Sequence, residues 1–76
     1  MNIIGEIQKN QKEKIIVSTN EYQGFKYIDL RVHYEDETSG EYKPTKKGIA
    51  VNPKILDEVV EMMLEAGKNL WYLIYL

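Results

Sequence analysis

The segment Phe25 to Tyr34 constrains the fold more than any other part of this chain. Ile28, Leu30, Val32 and Tyr34 alternate with Tyr27, Asp29, Arg31 and His33. A period of two with one apolar set requires a β-strand in a sheet that buries one face. Just before it, Lys14 to Tyr22 is rich in β-branched residues, and Gln23-Gly24 sits between the two segments. Glycine supplies the positive φ that a tight hairpin turn needs, so these segments are expected to pair. After it, Glu35 to Tyr42 reads as a polar loop around Gly40, and Lys43 to Val51 as a Pro-containing basic segment ending in a short strand at a sheet edge. Ile3, Ile4 and Ile7 suggest a further short strand, weakened by Gly5 and by the polar run Gln8 to Lys12.

Asn52-Pro53 marks a helix start. Asparagine accepts a hydrogen bond from an early amide, and proline at the first position gives up no needed donor. Asp57 and Glu58 suit the positive end of the helix dipole. Ile55, Val59, Met62 and Ala66 form one apolar stripe, with Leu56, Val60 and Met63 beside it, and Gly67 is the expected stop. The acidic residues Asp57, Glu58, Glu61 and Glu65 are expected on the outer side, away from the sheet. The expected fold is α+β: a four-stranded antiparallel sheet followed by one C-terminal helix.

With 76 residues the chain makes one domain, 1–76. So short a chain buries only about 60% of its unfolded surface, and with no cysteine there is neither a disulfide nor a thiolate zinc site to supplement the core. Assembly is the remaining common remedy, so a symmetric homodimer is expected. An apolar fraction of 43% fits a folded domain rather than a disordered one. The N-terminus lacks the pattern of a signal peptide. The apolar run Leu70 to Leu76 is far shorter than the ~20 residues a membrane helix needs. A soluble, intracellular protein is expected, without membrane partners. That apolar tail, 68–76 with its polar start, is expected to be buried against the sheet, the helix or a partner subunit.

An enzyme has little to build on. His33 is the single histidine, on a polar strand face where a solvated role is expected. The acidic run Glu35-Asp36-Glu37 lacks the ligand spacing of a calcium loop, and no phosphate-binding glycine motif occurs. No catalytic residue, metal ligand or cofactor is assigned. Net charge is −2, yet the acidic excess lies in residues 54–76, and residues 9–53 hold eight basic against seven acidic side chains. There, Tyr22, Tyr27, Tyr34 and Tyr42 interleave with Lys26, Arg31, Lys43, Lys46 and Lys47. Cations along the backbone and aromatic faces for bases are what single-stranded nucleic acid requires. From composition alone, a protein-interaction module remains an alternative.

The sequences YIDLRVHY (27–34) and EYKPTKKGIAVNP (41–53), in that order, resemble the positive cofactor 4 family of transcriptional proteins. There, a strand of the type IDIREYW precedes an acidic loop, a KPG-basic-KGI segment and an NP helix start. The resemblance spans about residues 14–66, leaving 1–13 as an N-terminal extension. It implies a symmetric dimer with single-stranded DNA running over the sheets. It also implies base stacking by Tyr22 and Tyr34, and basic contacts from Lys14, Lys26, Arg31, Lys43, Lys46 and Lys47. RNA is an alternative ligand, because bases stack alike in both polymers. Tyr34 stands where the family has tryptophan, Thr45 replaces its glycine, and Asn20, Gln23 and Phe25 stand at basic positions. Fewer cations imply weaker binding with a shallower salt dependence. Strict alternation places Tyr34 with the apolar set, so a bulge or strand end must turn it outward. The family's acidic, serine-rich N-terminal region does not appear, which suggests a bacterial or phage member. The implied location is cytoplasmic and nucleoid-associated in a prokaryote, nuclear in a eukaryote.

Overall fold

The computed structural model describes residues 1–74. Four strands, β1 (Asn2–Gln8), β2 (Glu13–Tyr22), β3 (Phe25–Glu35) and β4 (Tyr42–Val51), form an antiparallel meander in the order β1-β2-β3-β4. A single 3-10 turn, Pro53–Ile55, leads into the helix α1 (Leu56–Ile74). The expected α+β architecture is the observed one.

Local chemistry explains each junction. The polar run that weakens β1 in the sequence is a turn organised by Asn10. Its Oδ1 accepts from the amides of Lys12 (3.0 Å) and Glu13 (2.9 Å), and its Nδ2 donates to Glu13 Oε1 (2.7 Å). Between β2 and β3, Gln23 (φ 50°) and Gly24 (φ 82°) both lie at positive φ. That is the backbone of a type I′ turn, whose twist matches the flanking strands. It sets the register, with Tyr22 opposite Phe25 and every pair down to Glu13 opposite Tyr34. Between β3 and β4, Asp36 accepts from the Thr38 amide (2.8 Å), and the Gly40 amide, at φ 73°, donates to the Asp36 carbonyl (2.7 Å). Asn52 caps the helical segment as expected, accepting from the Lys54 amide at 2.9 Å.

The bulge lies in β4. Arg31 pairs with Gly48 and His33 with Pro44, so Thr45, Lys46 and Lys47 stand against Val32 alone. The bulge is stitched: Thr45 Oγ1 donates to the Val32 carbonyl (2.8 Å) and accepts from the Lys47 amide (3.1 Å). β3 itself runs without interruption through Tyr34, which stays on the side of Ile28, Leu30 and Val32 and reaches 42% exposure only by its place near the strand end.

Alternation sorts the sheet into two faces. The polar face carries Lys14, Ile16, Ser18 and Asn20 of β2, Tyr27, Asp29, Arg31 and His33 of β3, and Tyr42 and Pro44 of β4. It is the better covered side: Ser18, His33 and Asp29 are buried there, beside Ile16. The expected solvated histidine is therefore corrected. At 6% exposure His33 is enclosed, with Lys14 and Pro44 as its register partners on either side. The apolar face carries Ile15, Val17, Ile28, Leu30, Val32 and Ile49. It was expected to be buried, yet five of these are half-buried and Ile49 is exposed. Val51, opposite Ile28, is buried on this face, and among the described residues no element lies over the other six fully.

The helix differs from expectation as well. Gly67 does not stop it, and α1 continues to Ile74, so Leu70 and Trp71 are helical and, within the single chain, about 60% exposed. Tyr75 and Leu76 lie outside the described residues. Among the described side chains of the helix's apolar side, only Leu56 and Val59 are half-buried, while Val60, Met62, Met63 and Leu64 are exposed. The accessible surface is 6538 Å² for 8.9 kDa. A compact monomer of that mass exposes about 4,800 Å². The half-buried apolar face and the exposed side of the helix contribute to the difference, as do the exposed β1 and the hairpin tip.

Candidate nucleic-acid interface

The polar face is hollowed into a recess of about 340 Å³ lined by Asn20, Tyr27, Asp29, Arg31, His33, Tyr42 and Pro44. Its floor is a hydrogen-bonded network. Arg31 Nε donates to Asp29 Oδ2 (3.0 Å), Nη2 donates to Asp29 Oδ1 (2.9 Å), and Nη1 donates to the Thr45 carbonyl (2.9 Å). Asp29 and Arg31 are two residues apart on one strand, hence on one face, which makes the bidentate fork possible. Hydrogen bonding to Asp29 holds the guanidinium above its ordinary pKa. Three of its five N–H groups are engaged, which leaves two for any ligand. Gly48, opposite in β4, makes room: a Cβ there would sit 2.8 Å from Arg31 Cζ and 2.8 Å from the Leu30 carbonyl oxygen.

The other cations differ in availability. Lys14 lies over the Tyr42 ring (4.2 Å to its centre) and 3.5 Å from Glu6 Oε2. Lys43 pairs with Asp36 at 2.7 Å, which raises the lysine pKa and lowers that of the carboxyl. Lys26, Lys46 and Lys47 are exposed and form no ion pair among the described residues. Lys46 and Lys47 are presented by the β4 bulge, and Lys26 by the base of the β2–β3 turn, across from Glu21.

The two tyrosines expected to stack are exposed, at 66% for Tyr22 and 42% for Tyr34. The fold does not bring them together within one chain. Tyr34 pairs with Glu13, nine residues before Tyr22 on β2, so they stand roughly 30 Å apart. Alternation also puts Tyr22 on the polar face and Tyr34 on the apolar one. On the polar side Asn20 and Phe25 escaped the sequence reading as site candidates, whereas Tyr42 was among its interleaved aromatics. Tyr42 supports Lys14, Asn20 donates to Ser18 Oγ (3.0 Å), and Phe25 stands opposite Tyr22 at the hairpin tip. The signal for Phe25 was present, because a two-residue turn fixes which residues face each other across it.

Comparison with known proteins agrees with this fold. Residues 9–62 match the family model described as Transcriptional Coactivator p15 (PC4). Crystal structures of a PC4 homolog from Burkholderia pseudomallei, 32% identical, superimpose with TM-scores of 0.80 in a tetragonal form and 0.81 in an orthorhombic form. The alignments cover 87% of this chain and 96% and 88% of those chains. The RNA polymerase II transcriptional coactivator SUB1 of Saccharomyces cerevisiae is 31% identical over 67 residues, which is 88% of this chain and 22% of the yeast protein. With most of its length matched in both sequence and fold, the chain belongs to the Transcriptional Coactivator p15 (PC4) family.

Proposed function

We propose that this protein is a homodimer that binds single-stranded DNA with little sequence preference and acts in transcription. The observation that carries the reading is the pairing, on one sheet, of exposed aromatic rings with unpaired lysines. Tyr22 projects at the hairpin tip, Tyr34 at the far strand end, and Lys46 and Lys47 from the bulge. Rings accept unpaired bases at about 1–3 kcal/mol each, and lysines track the phosphates. Lys14, Lys26, Arg31 and Lys43 extend the cationic track. Arg31 acts through its two remaining donors, and Lys43 by exchanging Asp36 for phosphate. The transcriptional role is supported by the family's description and by the yeast coactivator, of which this chain matches about a fifth.

The exposed area supports dimerisation. The surface in excess of a compact monomer is about 1,700 Å² per chain, more than the ~800 Å² per partner of a standard interface. A second copy lying over α1 and over the apolar face as far as Val32 would remove that excess and leave Tyr34 free at the strand end. It also resolves the separation of the tyrosines, because two subunits can place rings from different chains along one strand. Sedimentation should give twice 8.9 kDa.

The direct test is fluorescence anisotropy of a labelled ~20-nucleotide single strand at two salt concentrations, with duplex DNA and RNA as competitors. Binding that duplex does not compete away, and that Tyr22→Ala with Tyr34→Ala weakens without lowering Tm, supports the assignment. Unchanged affinity in the double variant refutes the stacking roles. RNA competing better than DNA would make RNA the ligand.

A further inference from the structure

Phe25 is 77% exposed. It contributes little to the core, and it lies on the wrong side of the sheet to join the uncovered apolar surface. Odd-numbered positions of β3 share the polar face, so a second copy covering Ile28, Leu30 and Val32 leaves Phe25 in water. The type I′ turn places it directly opposite Tyr22, itself 66% exposed. Opposed residues have Cβ atoms about 4.5–5.5 Å apart, so the two rings stand side by side. Tyr27 follows on the same face two residues on, about 6.6 Å along the strand, where the recess with Asn20 begins. The hairpin tip therefore presents a row of aromatic faces entering the recess.

We propose that Phe25 is a base-stacking residue and that Tyr22 and Phe25 form one platform for an unpaired nucleobase at the hairpin tip. The inference rests on the single-strand reading above and adds a contact and its chemistry to it. The ligand is the π-face of a base. A duplex hides those faces within its stack, so the platform discriminates against duplex without reading sequence. Stacking releases no counterions, so this contact holds its strength as salt rises, whereas lysine contacts fade.

The test is the anisotropy titration on the full chain at several salt concentrations, with wild type, Phe25→Ala, Phe25→Leu and Phe25→Tyr. Phe25→Ala should weaken single-strand binding by roughly five- to 150-fold at every salt, with the slope of log affinity against log salt unchanged. Phe25→Leu, apolar but without a ring, should lose as much, and Phe25→Tyr should retain wild-type affinity. Circular dichroism should show equal Tm for all four, as befits a side chain so exposed. Wild-type affinity in Phe25→Ala, or in Phe25→Leu, overturns the platform while leaving single-strand binding intact. A wild type that binds no single strand at low salt overturns both readings.

Discussion

Gly48→Ala isolates the packing that shapes the polar face. The added Cβ would meet the Leu30 carbonyl oxygen at 2.8 Å, Arg31 Cζ at 2.8 Å and Arg31 Nη1 at 3.0 Å. The first neighbour is backbone in the central β3 and cannot retreat without disturbing the ladder to β2. The guanidinium is pinned by three hydrogen bonds to Asp29 and the Thr45 carbonyl. Overpacking of this kind costs about 1–3 kcal/mol. If Arg31 swings away instead, the chain loses its bonds to Asp29, a carboxylate 9% exposed, and hydrogen bonds to charged groups are worth about 1.5–3 kcal/mol. Either route gives a loss of about 2–3 kcal/mol. Urea unfolding followed by far-ultraviolet circular dichroism, at fixed chain concentration so that any contribution from the proposed assembly is the same for each variant, measures it. Gly5→Ala is the control, since its Cβ would meet nothing within 4 Å. The Arg31→Ala background separates the two collisions: there the guanidinium share of the cost vanishes and the carbonyl share remains. A Gly48→Ala loss no larger than that of Gly5→Ala refutes the argument.

Two further outcomes follow from the turns. Gln23 holds φ 50°, a left-handed conformation that costs a side-chain-bearing residue about 1–2 kcal/mol, and asparagine tolerates it better. Gln23→Asn should raise the urea midpoint by the equivalent of about 0.5–1 kcal/mol, and an unchanged or lower midpoint contradicts the turn assignment. Asp36 has its carboxyl pKa lowered, first by the hydrogen bond from Lys43 and then by the Thr38 amide. A depressed folded pKa means stability that is present above the ordinary aspartate value of about 3.9 and lost as pH falls through the lower folded value. Between pH 5 and 2, Asp36→Asn should therefore lose stability less steeply than wild type, and parallel acid limbs would show that the pair contributes nothing.

Much of the fold is legible because its signals are local. Alternation in β3, β-branching in β2 and Gln23-Gly24 between them determine the central hairpin, and Asn52-Pro53 determines where helix follows sheet. What escapes reading depends on tertiary partners. The run Gln8 to Lys12 looks like the end of order, but one asparagine folds it into a turn. Gly67 looks like a stop, yet a glycine inside a helix costs only about 1 kcal/mol, and the apolar repeat continues past it through Leu70 and Trp71. The two faces of β3 are separable in the sequence, but which is covered is not. Within the single chain Ser18, Asp29 and His33 are buried on the polar face, while Ile15, Val17, Ile28, Leu30 and Val32 are only half-buried. The same division applies to the site. Exposed Tyr22 follows from the turn, and the Asp29–Arg31 fork is implicit in their spacing. The engagement of Lys43 by Asp36 depends on how a loop closes.

The charge pattern decides how such a surface can hold a strand at all. Carboxylates already occupy much of the cationic track: Glu6 faces Lys14, Asp29 holds Arg31, and Asp36 holds Lys43. Phosphate arriving at these sites exchanges one anion for another and gains little. The entropy of counterion release comes instead from lysines that are solvated beforehand, Lys26, Lys46 and Lys47. At about 0.7 per phosphate on a single strand, they set a salt slope near −2 for each subunit. That is a weak electrostatic hold for a chain of net charge −2. On the proposed reading the remaining affinity comes from contacts indifferent to salt, the exposed rings of Tyr22 and Phe25 on the polar face. The acidic partners have a use of their own. They hold Arg31 and Lys14 in place, so under the proposed binding little free energy would be lost in ordering those two side chains.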